Sequence, residues 1–126
     1  MVLMDSDVAI DLLRNHPPAL SWLIAQKEII GLPGFVVLEL VSDCRNKVEL
    51  QKVHRFLAMY PIIWGSDKAM MQAVVEFASL RLSHNVGVFD AVIAATAMEN
   101  DCVLLTSNNK HFSAVPGLVI KEPYVR

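Results

Sequence analysis

The stretch VLMDSDVAI, residues 2–10, decides the fold class of this chain. Three apolar residues lead directly into Asp5 and Asp7, and an apolar pattern with helical spacing begins at once behind them. This pattern predicts a buried strand over residues 2–5 followed by a helix from Asp7 to Arg14. In an open α/β sheet, ligands bind in the crevice outside the carboxyl ends of the strands. Acids at this position therefore indicate a functional site.

The rest of the chain repeats the alternation of strand and helix. Further strands are predicted near residues 30, 63, 104 and 119, where short β-prone runs recur. Helices are predicted over residues 18–27, 35–44, 46–60, 68–82 and 88–100. Residues 107–117 are predicted to be a loop. We therefore expect a three-layer α/β/α fold with a central, mostly parallel sheet of about four to five short strands.

Composition limits the class of protein. A length of 126 residues favours a single domain over residues 1–126. Hydrophobic residues make up 54% of the chain and charged residues only 19%, so we expect self-association, and the Met- and Val-rich residues 69–80 are either a dimer face or core. A net charge of −2 excludes nucleic-acid binding by a basic arm alone. Two cysteines and the absence of a long apolar run favour a cytoplasmic protein without a membrane anchor.

Three of the 13 acidic residues lie in segments that are otherwise apolar enough for a core. They are Asp5, Glu39 and Asp90. A buried carboxylate is costly unless it is paired, protonated or bound to a metal ion. An interaction with the helix dipole explains Asp90 alone, but not Glu39, which lies inside its predicted helix. A shared Mg²⁺ or Mn²⁺ ion, which prefers carboxylate oxygens, accounts for all three acids as ligands.

Two other groups of polar residues bear on the site. The four histidines lack the spacing of zinc ligands and lie at predicted loop or surface positions, so no function is predicted for them. The run CVLLTSNN predicts a strand that delivers Thr106, Ser107 and Asn108 to its carboxyl end, the same edge as Asp5. These side chains either hold metal-bound water or a phosphate oxygen, or form an ordinary Asn-rich turn.

Taken in order, these motifs resemble the PIN-domain nucleases, and in particular the toxin component of VapBC-type toxin–antitoxin pairs. The resemblance rests on the DSD after the first strand, the acid in FVVLELV, the run FDAVIAATA, and TSN followed by KHF at residues 110–112. It extends over essentially the whole chain. It implies a Mg²⁺- or Mn²⁺-dependent endoribonuclease, usually dimeric, that a small antitoxin inhibits by inserting into the active-site groove.

The resemblance also implies roles for individual residues. Asp5, Glu39 and Asp90 match the three central acids of the family, and they are its expected catalytic residues and metal ligands. Ser6 matches a small hydroxyl residue beside the first acid. Asp7 stands where the family often has asparagine or serine, so it either orients water or caps the first helix.

A fourth catalytic position falls on Asn108, with Thr106 in a supporting role. The fuller four-acid pattern has aspartate at this place, so Asn108 weakens the case for a second metal ion. Since the chain is acidic, binding of RNA phosphates must be local. The candidate contacts are Arg14, Arg45, Lys47, Arg81 and Lys110.

The implied mechanism is hydrolysis of a phosphodiester by metal-activated water, and two alternatives stay open. A haloacid dehalogenase-like phosphatase also begins with Asp-x-Asp after its first strand, with the first Asp as nucleophile. It requires a later lysine and an acidic pair, and this chain offers only SNNK and little room for a cap domain. The other alternative is a PIN-like module that binds RNA or a protein partner without cleavage, for which Asn108 is the only hint.

Overall fold

The computed structural model describes residues 1–126, and its centre is a sheet of five short strands. These are β1 (Val2–Met4), β2 (Ile30–Pro33), β3 (Ile62–Ile63), β4 (Val103–Leu105) and β5 (Ile120–Lys121). The strand order is β3-β2-β1-β4-β5, and every neighbouring pair is parallel. In the register of the sheet, Val2 of β1 lies opposite both Ile30 and Val103. The strand that ends at Asp5 is therefore the central one.

Eight helices connect and cover the strands. They are α1 (Ser6–Leu13), α2 (Pro17–Ala25), α3 (Gly34–Ser42), α4 (Lys47–Leu57), α5 (Asp67–Val75), α6 (Leu80–His84), α7 (Val88–Glu99) and α8 (Asn109–Phe112). The arrangement confirms the predicted three-layer α/β/α class. None of these helices combines the length and the apolar character that a membrane crossing requires.

The core lies on both faces of the sheet. All three residues of β1 are buried, since helices cover a parallel strand on both sides and leave no polar face. Helix α7 is buried almost continuously from Ala91 to Ala97, and its alanines allow α5 to pack closely along it. The apolar runs of the sequence thus identify the central elements correctly.

The predicted helix over residues 68–82 is wrong, because two shorter helices replace it. After α5 the backbone N–H of Phe77 donates to the carbonyl of Gln72, five residues back, which widens the turn. This turn buries the Phe77 side chain. Helix α6 then ends at Asn85, which has a left-handed φ of 55°. Burial of one aromatic residue therefore outweighs the helical propensity of the segment.

The predicted loop over residues 107–117 contains the short helix α8. Its last residue, Phe112, is completely buried and anchors the segment in the core. The last strand is also displaced by about one residue from its predicted place, because β5 pairs with β4 through Ile120 and Lys121. Helix α8 matters for function because it brings Asn108 and His111 to the carboxyl edge of the sheet.

Candidate functional site

Asp5 lies at the end of the central strand and is held in a fixed orientation. Its backbone N–H donates to the carbonyl of Leu105, which continues the pairing of β1 with β4. Its Oδ1 accepts from the Ser6 N–H at 2.8 Å, and its Oδ2 accepts from the buried Thr106 hydroxyl at 2.9 Å. Burial, followed by the charge of Asp7, raises the pKa of Asp5 to about 7. The protein alone therefore stabilises this charge poorly.

Asp7 joins α1 to the segment after β4. Its Oδ1 accepts from the Val8 N–H at 2.8 Å, and its Oδ2 accepts from the Ser107 N–H at 2.9 Å and from the Ser107 hydroxyl. The N-cap of α1 is Asp5 rather than Asp7. Asp7 already accepts three hydrogen bonds within the protein, whereas Asp5 accepts two and keeps more acceptor capacity for a ligand, so Asp7 mainly orients the chain.

Asp90 lies in the first turn of α7 and faces His111. The Nδ1 of His111 is 3.8 Å from the Oδ2 of Asp90, and it lies 3.2 Å from the Nδ2 of Asn108. Burial raises the pKa of Asp90, while the neighbouring His111 opposes this shift. The sequence predicts no function for His111, because it predicts a loop over residues 107–117. The spacing of three between Asn108 and His111, which brings side chains together on a helical turn, is the signal that identifies the pair.

Glu39 lies in the middle of α3 and has a carboxylate oxygen without a partner. Its Oε1 is buried and accepts no hydrogen bond. Burial, followed by the charges of Asp90 and Asp43, raises its pKa. Leaving a buried acceptor unpaired costs about 1 to 3 kcal/mol, and more for a charged group. This oxygen is therefore a free acceptor at the site.

The acids fit a hard divalent cation in chemistry, although no three His, Cys, Asp or Glu side chains form a ready-made metal cage. The charge of Asp90 contributes to the raised pKa of both Asp5 and Glu39, so Asp90 lies near enough to each of them to repel its charge. All of their potential donors are oxygen atoms, which Mg²⁺ and Mn²⁺ prefer. A cation between them would relieve the repulsion and satisfy Glu39.

Two of the predicted phosphate contacts, Arg14 and Arg45, lie in a cleft apart from the acids. Arg14 and Arg45 line a cleft of about 420 Å³ between α1, α3 and α4, and Arg45 is paired with Glu49 at 3.0 Å. None of Asp5, Glu39 and Asp90 lines this cleft. The other three cations are exposed on separate helices: Lys47 on α4, Arg81 on α6 and Lys110 on α8.

An apolar rim, which the sequence did not indicate, lies beside the acids. The rings of Phe35 and Phe89 stack with their centroids 4.7 Å apart. Phe35 precedes Glu39 by one helical turn, and Phe89 directly precedes Asp90. Phe89 is nevertheless 62% exposed. The pair crosses from α3 to α7, a contact that local patterns do not reveal.

Comparison with known proteins identifies the family to which the chain is similar. The model of the family described as "PIN domain" matches residues 2–118. Ribonuclease VapC10 of Mycobacterium tuberculosis is 36% identical over 115 residues, which cover 89% of this chain and 86% of that protein. Two solved structures are each 26% identical to this chain. A toxin–antitoxin complex from Klebsiella pneumoniae has a TM-score of 0.78 and covers 98% of both chains. VapBC2 from Rickettsia felis, bound to a DNA fragment from its promoter, has a TM-score of 0.77 and covers 96% of this chain and 98% of that one.

The match of the family model extends over nearly all of the described strands and helices, including those that carry Asp5, Glu39, Asp90 and Asn108. The resemblance inferred from the motifs is thereby confirmed at the level of the whole chain. The chain belongs to the PIN-domain family, as a toxin of the VapC type.

Proposed function

We propose that this protein is a Mg²⁺- or Mn²⁺-dependent endoribonuclease and the toxin of a toxin–antitoxin pair. The observation that carries the proposal is the arrangement of Asp5, Glu39 and Asp90, in which the charge of Asp90 contributes to the raised pKa of both other acids while Glu39 Oε1 has no partner. Ribonuclease activity in the curated relative supports the choice of RNA. The absence of a cage of three ligands suits Mg²⁺ or Mn²⁺, because such an ion keeps several waters and needs only one or two carboxylates of the protein.

In the proposed mechanism, the residues of this chain bind and orient the reacting groups. A divalent cation supplies an activated water and neutralises charge on the phosphate. Asp5 presents a ligand oxygen in a fixed direction, because the Ser6 N–H and the Thr106 hydroxyl hold its carboxylate. Glu39 contributes its free Oε1. Burial raises the pKa of Asp90 and the charge of His111 lowers it, so His111 helps to keep Asp90 ionised. Asn108 is tied to His111 and keeps an amide oxygen available for a polar contact.

Binding of RNA by an acidic protein also depends on this site. A polyanion that approaches three carboxylates is repelled unless a cation screens them, so RNA binding and cleavage should both require the metal. The exposed side chains of Arg14, Lys47, Arg81 and Lys110 remain candidates for weaker phosphate contacts. Arg45 is a poorer candidate, because Glu49 engages its guanidinium.

The proposed protein partner is a small antitoxin. Structures of related proteins as toxin–antitoxin complexes support this partner. Apolar side chains around the acids suit a peptide in which a cationic residue is flanked by apolar ones, since Phe89 is 62% and Leu38 51% exposed. Such a peptide would cover the acids and compete with the metal ion and RNA.

A second function, binding of RNA or a partner without cleavage, is favoured by one observation. Asn108 supplies an amide where a fourth acid would complete the family pattern. The phosphatase alternative is disfavoured because Asp7, the second acid of its Asp-x-Asp motif, already accepts three hydrogen bonds from Val8 and Ser107.

The substitution Asp5→Asn tests the proposed function. We expect it to abolish metal-dependent cleavage of RNA while the protein still melts cooperatively, because the amide keeps the shape of the carboxylate but binds the cation weakly. Cleavage is measured on total bacterial RNA with Mn²⁺ or with EDTA, and new 5′ ends are identified by sequencing. Glu28→Gln serves as the matched control, because Glu28 is an exposed acid that precedes β2 and therefore lies at the amino end of that strand.

Two results would decide against the nuclease. Cleavage by the Asp5→Asn variant at the wild-type rate, with normal melting, contradicts the assigned role of the acids. Binding of RNA by the wild-type protein without any cleavage supports the binding module instead.

A further inference from the structure

The segment Tyr124–Arg126 folds back onto α1 next to the candidate site. The Tyr124 hydroxyl donates to Asp11 Oδ2 at 2.7 Å, and Arg126 donates to both oxygens of Asp11 at 2.8 and 2.7 Å. Asp11 is buried, with 8% of its surface exposed. A bidentate pair between a guanidinium and a buried carboxylate is geometrically specific. The Arg126 side chain is therefore fixed although 45% of it is exposed.

Arg126 also reaches Ser107 and Asp7, which lie next to the segments that hold Asp5. Its Nη1 lies 3.3 Å from Ser107 Oγ, and its Nη2 lies 3.4 Å from the carbonyl oxygen of Asp7. The Ser107 hydroxyl thus lies between the guanidinium of Arg126 and the carboxylate of Asp7. One arginine side chain connects α1 to the segment that follows β4.

Hydrogen-bond chemistry fixes the direction of this network. A guanidinium has only donors and a serine hydroxyl has one proton. Ser107 Oγ must therefore accept from Arg126 and donate its proton to Asp7. The neighbouring residue repeats the arrangement, because Thr106 Oγ1 accepts from the Asn108 N–H at 3.0 Å and donates to Asp5. The two relays hold residues 106–108 against the start of α1.

We propose that Arg126 is a positioning residue of the active site, which commits the Ser107 proton to Asp7 and thereby fixes residues 106–108 beside Asp5. Arg126 touches neither the acids that would hold the cation nor the space between them. It acts through Ser107 and through the carbonyl of Asp7. The effect on cleavage rests on the proposed ribonuclease function, whereas the effect on the Ser107 segment does not.

The first experiment measures local order without activity. Amide hydrogen exchange at Ser107, whose N–H donates to Asp7, is followed by NMR in the wild type and in Arg126→Met, Arg126→Lys, Tyr124→Phe and Arg55→Met. We expect exchange at Ser107 to be about tenfold faster in Arg126→Met. It should stay near the wild-type rate in Tyr124→Phe, which loses only one bond to Asp11, and in Arg55→Met, an exposed arginine of α4.

The second experiment measures cleavage of a fragment chosen from total bacterial RNA because the wild type cuts it. We expect Arg126→Met to lower kcat about tenfold and to leave KM within about twofold, because a group that only orients the site changes the chemical step. Arg126→Lys should recover part of the loss, since a lysine keeps the charge but not the fork. The Ser107→Ala, Arg126→Met double variant should be no slower than Ser107→Ala alone.

Several results would overturn the proposal. Unchanged exchange at Ser107 in Arg126→Met shows that the contact orders nothing. A raised KM with an unchanged kcat identifies Arg126 as a phosphate contact instead, and losses that multiply in the double variant show a route that bypasses Ser107. If the wild type cuts no RNA, the proposed function fails, and the exchange experiment still decides the role of Arg126.

Discussion

At the scale of single residues, the ionised form of Asp11 is stabilised by direct hydrogen bonds from Arg126 and Tyr124. The hydrogen bonds from Arg126 hold the pKa of Asp11 below its usual value of 3.8, against the opposing effect of burial. Because the pKa of Asp11 is lower in the folded than in the unfolded protein, its ionised carboxylate stabilises the native state at any pH above the unfolded pKa. This stabilisation is lost as the pH falls through the folded pKa.

This sign predicts a pH-dependent effect of Asp11→Asn. The variant should melt at a lower temperature than the wild type between pH 5 and pH 7, estimated as about the range in which both pKa values lie well below the pH. The difference should narrow below about pH 4, as the wild-type carboxylate gains its proton. Thermal melting followed by circular dichroism measures it, with Glu28→Gln as the control. A difference that stays constant with pH would show that Asp11 acts by shape and not by charge.

The sequence predicted some residues of the site for a physical reason. Asp5, Glu39 and Asp90 are conspicuous because charge in an apolar segment needs compensation, and this argument requires no structure. His111 and Arg126 carry no such local signal. The hydrogen bonds of Arg126 reach Asp11, 115 positions away along the chain, and only the folded sheet brings them together.

At the scale of secondary structure, the start of α3 depends on the absence of a side chain at Gly34. Trp64 directly follows β3, and its ring packs on the start of α3. A Cβ at position 34 would lie 2.1 Å from Cε3 of this ring. No van der Waals contact is this short, so the ring must move if the Cβ is present. Glu39 lies on the same helix, and its position depends on this packing.

We therefore expect Gly34→Ala to destabilise the protein by about 1 to 3 kcal/mol, the usual cost of overpacking. This outweighs the roughly 0.5 to 1 kcal/mol that alanine gains over glycine in a helix. Chemical denaturation measures the free energy of unfolding, and tryptophan emission should shift to the red as Trp64 is displaced. In a Trp64→Ala background the same substitution should no longer destabilise. A destabilisation that persists there would place the cause in the backbone of Gly34.

The sequence predicted correctly those elements whose apolar pattern directly reflects their burial in the fold. Strands β1 and β4 and the middle of α7, residues 91–97, are mainly apolar because they are largely buried. The break between α5 and α6 and the presence of α8 depend on Phe77 and Phe112. Each inserts into a core built by distant segments, so neither event is encoded in local periodicity.

At the scale of the whole molecule, apolar side chains remain on both faces of α5. Ala69 and Ala73 are buried against α7, while Met71, Val74 and Val75 are 58%, 55% and 68% exposed. A helix that is apolar on two faces is typical of one that lies between two partners. The structure thus accommodates both interpretations of residues 69–80, since the helix contributes to the core and also carries an exposed apolar face.

We expect this face to bind a second copy of the chain. Light scattering on the protein at micromolar concentration should give the mass of a dimer, and Val75→Lys should reduce it to that of a monomer. Ile24→Lys changes an equally apolar residue that is 87% exposed on α2, and should leave the dimer intact. Dissociation by both variants, or by neither, would show that α5 is not the contact.

The proposed metal ion should change the stability of the whole protein, because a ligand that binds only the native state stabilises it by mass action. Mn²⁺ at a hundredfold excess over its Kd contributes about 2.7 kcal/mol, which raises the melting temperature of a chain of this size by roughly 5 to 10 °C. Without metal, Glu39→Gln should melt at or above the wild-type temperature, because it removes one of three repelling carboxylates. With Mn²⁺ the order of the melting temperatures should reverse. The melting temperature of Glu39→Gln should rise little, whereas those of the wild type and of Glu28→Gln should rise by the full amount. General damage to the fold lowers both temperatures, so this reversal is specific to a metal ligand, and an equal Mn²⁺ shift in Glu39→Gln would exclude Glu39 from the site.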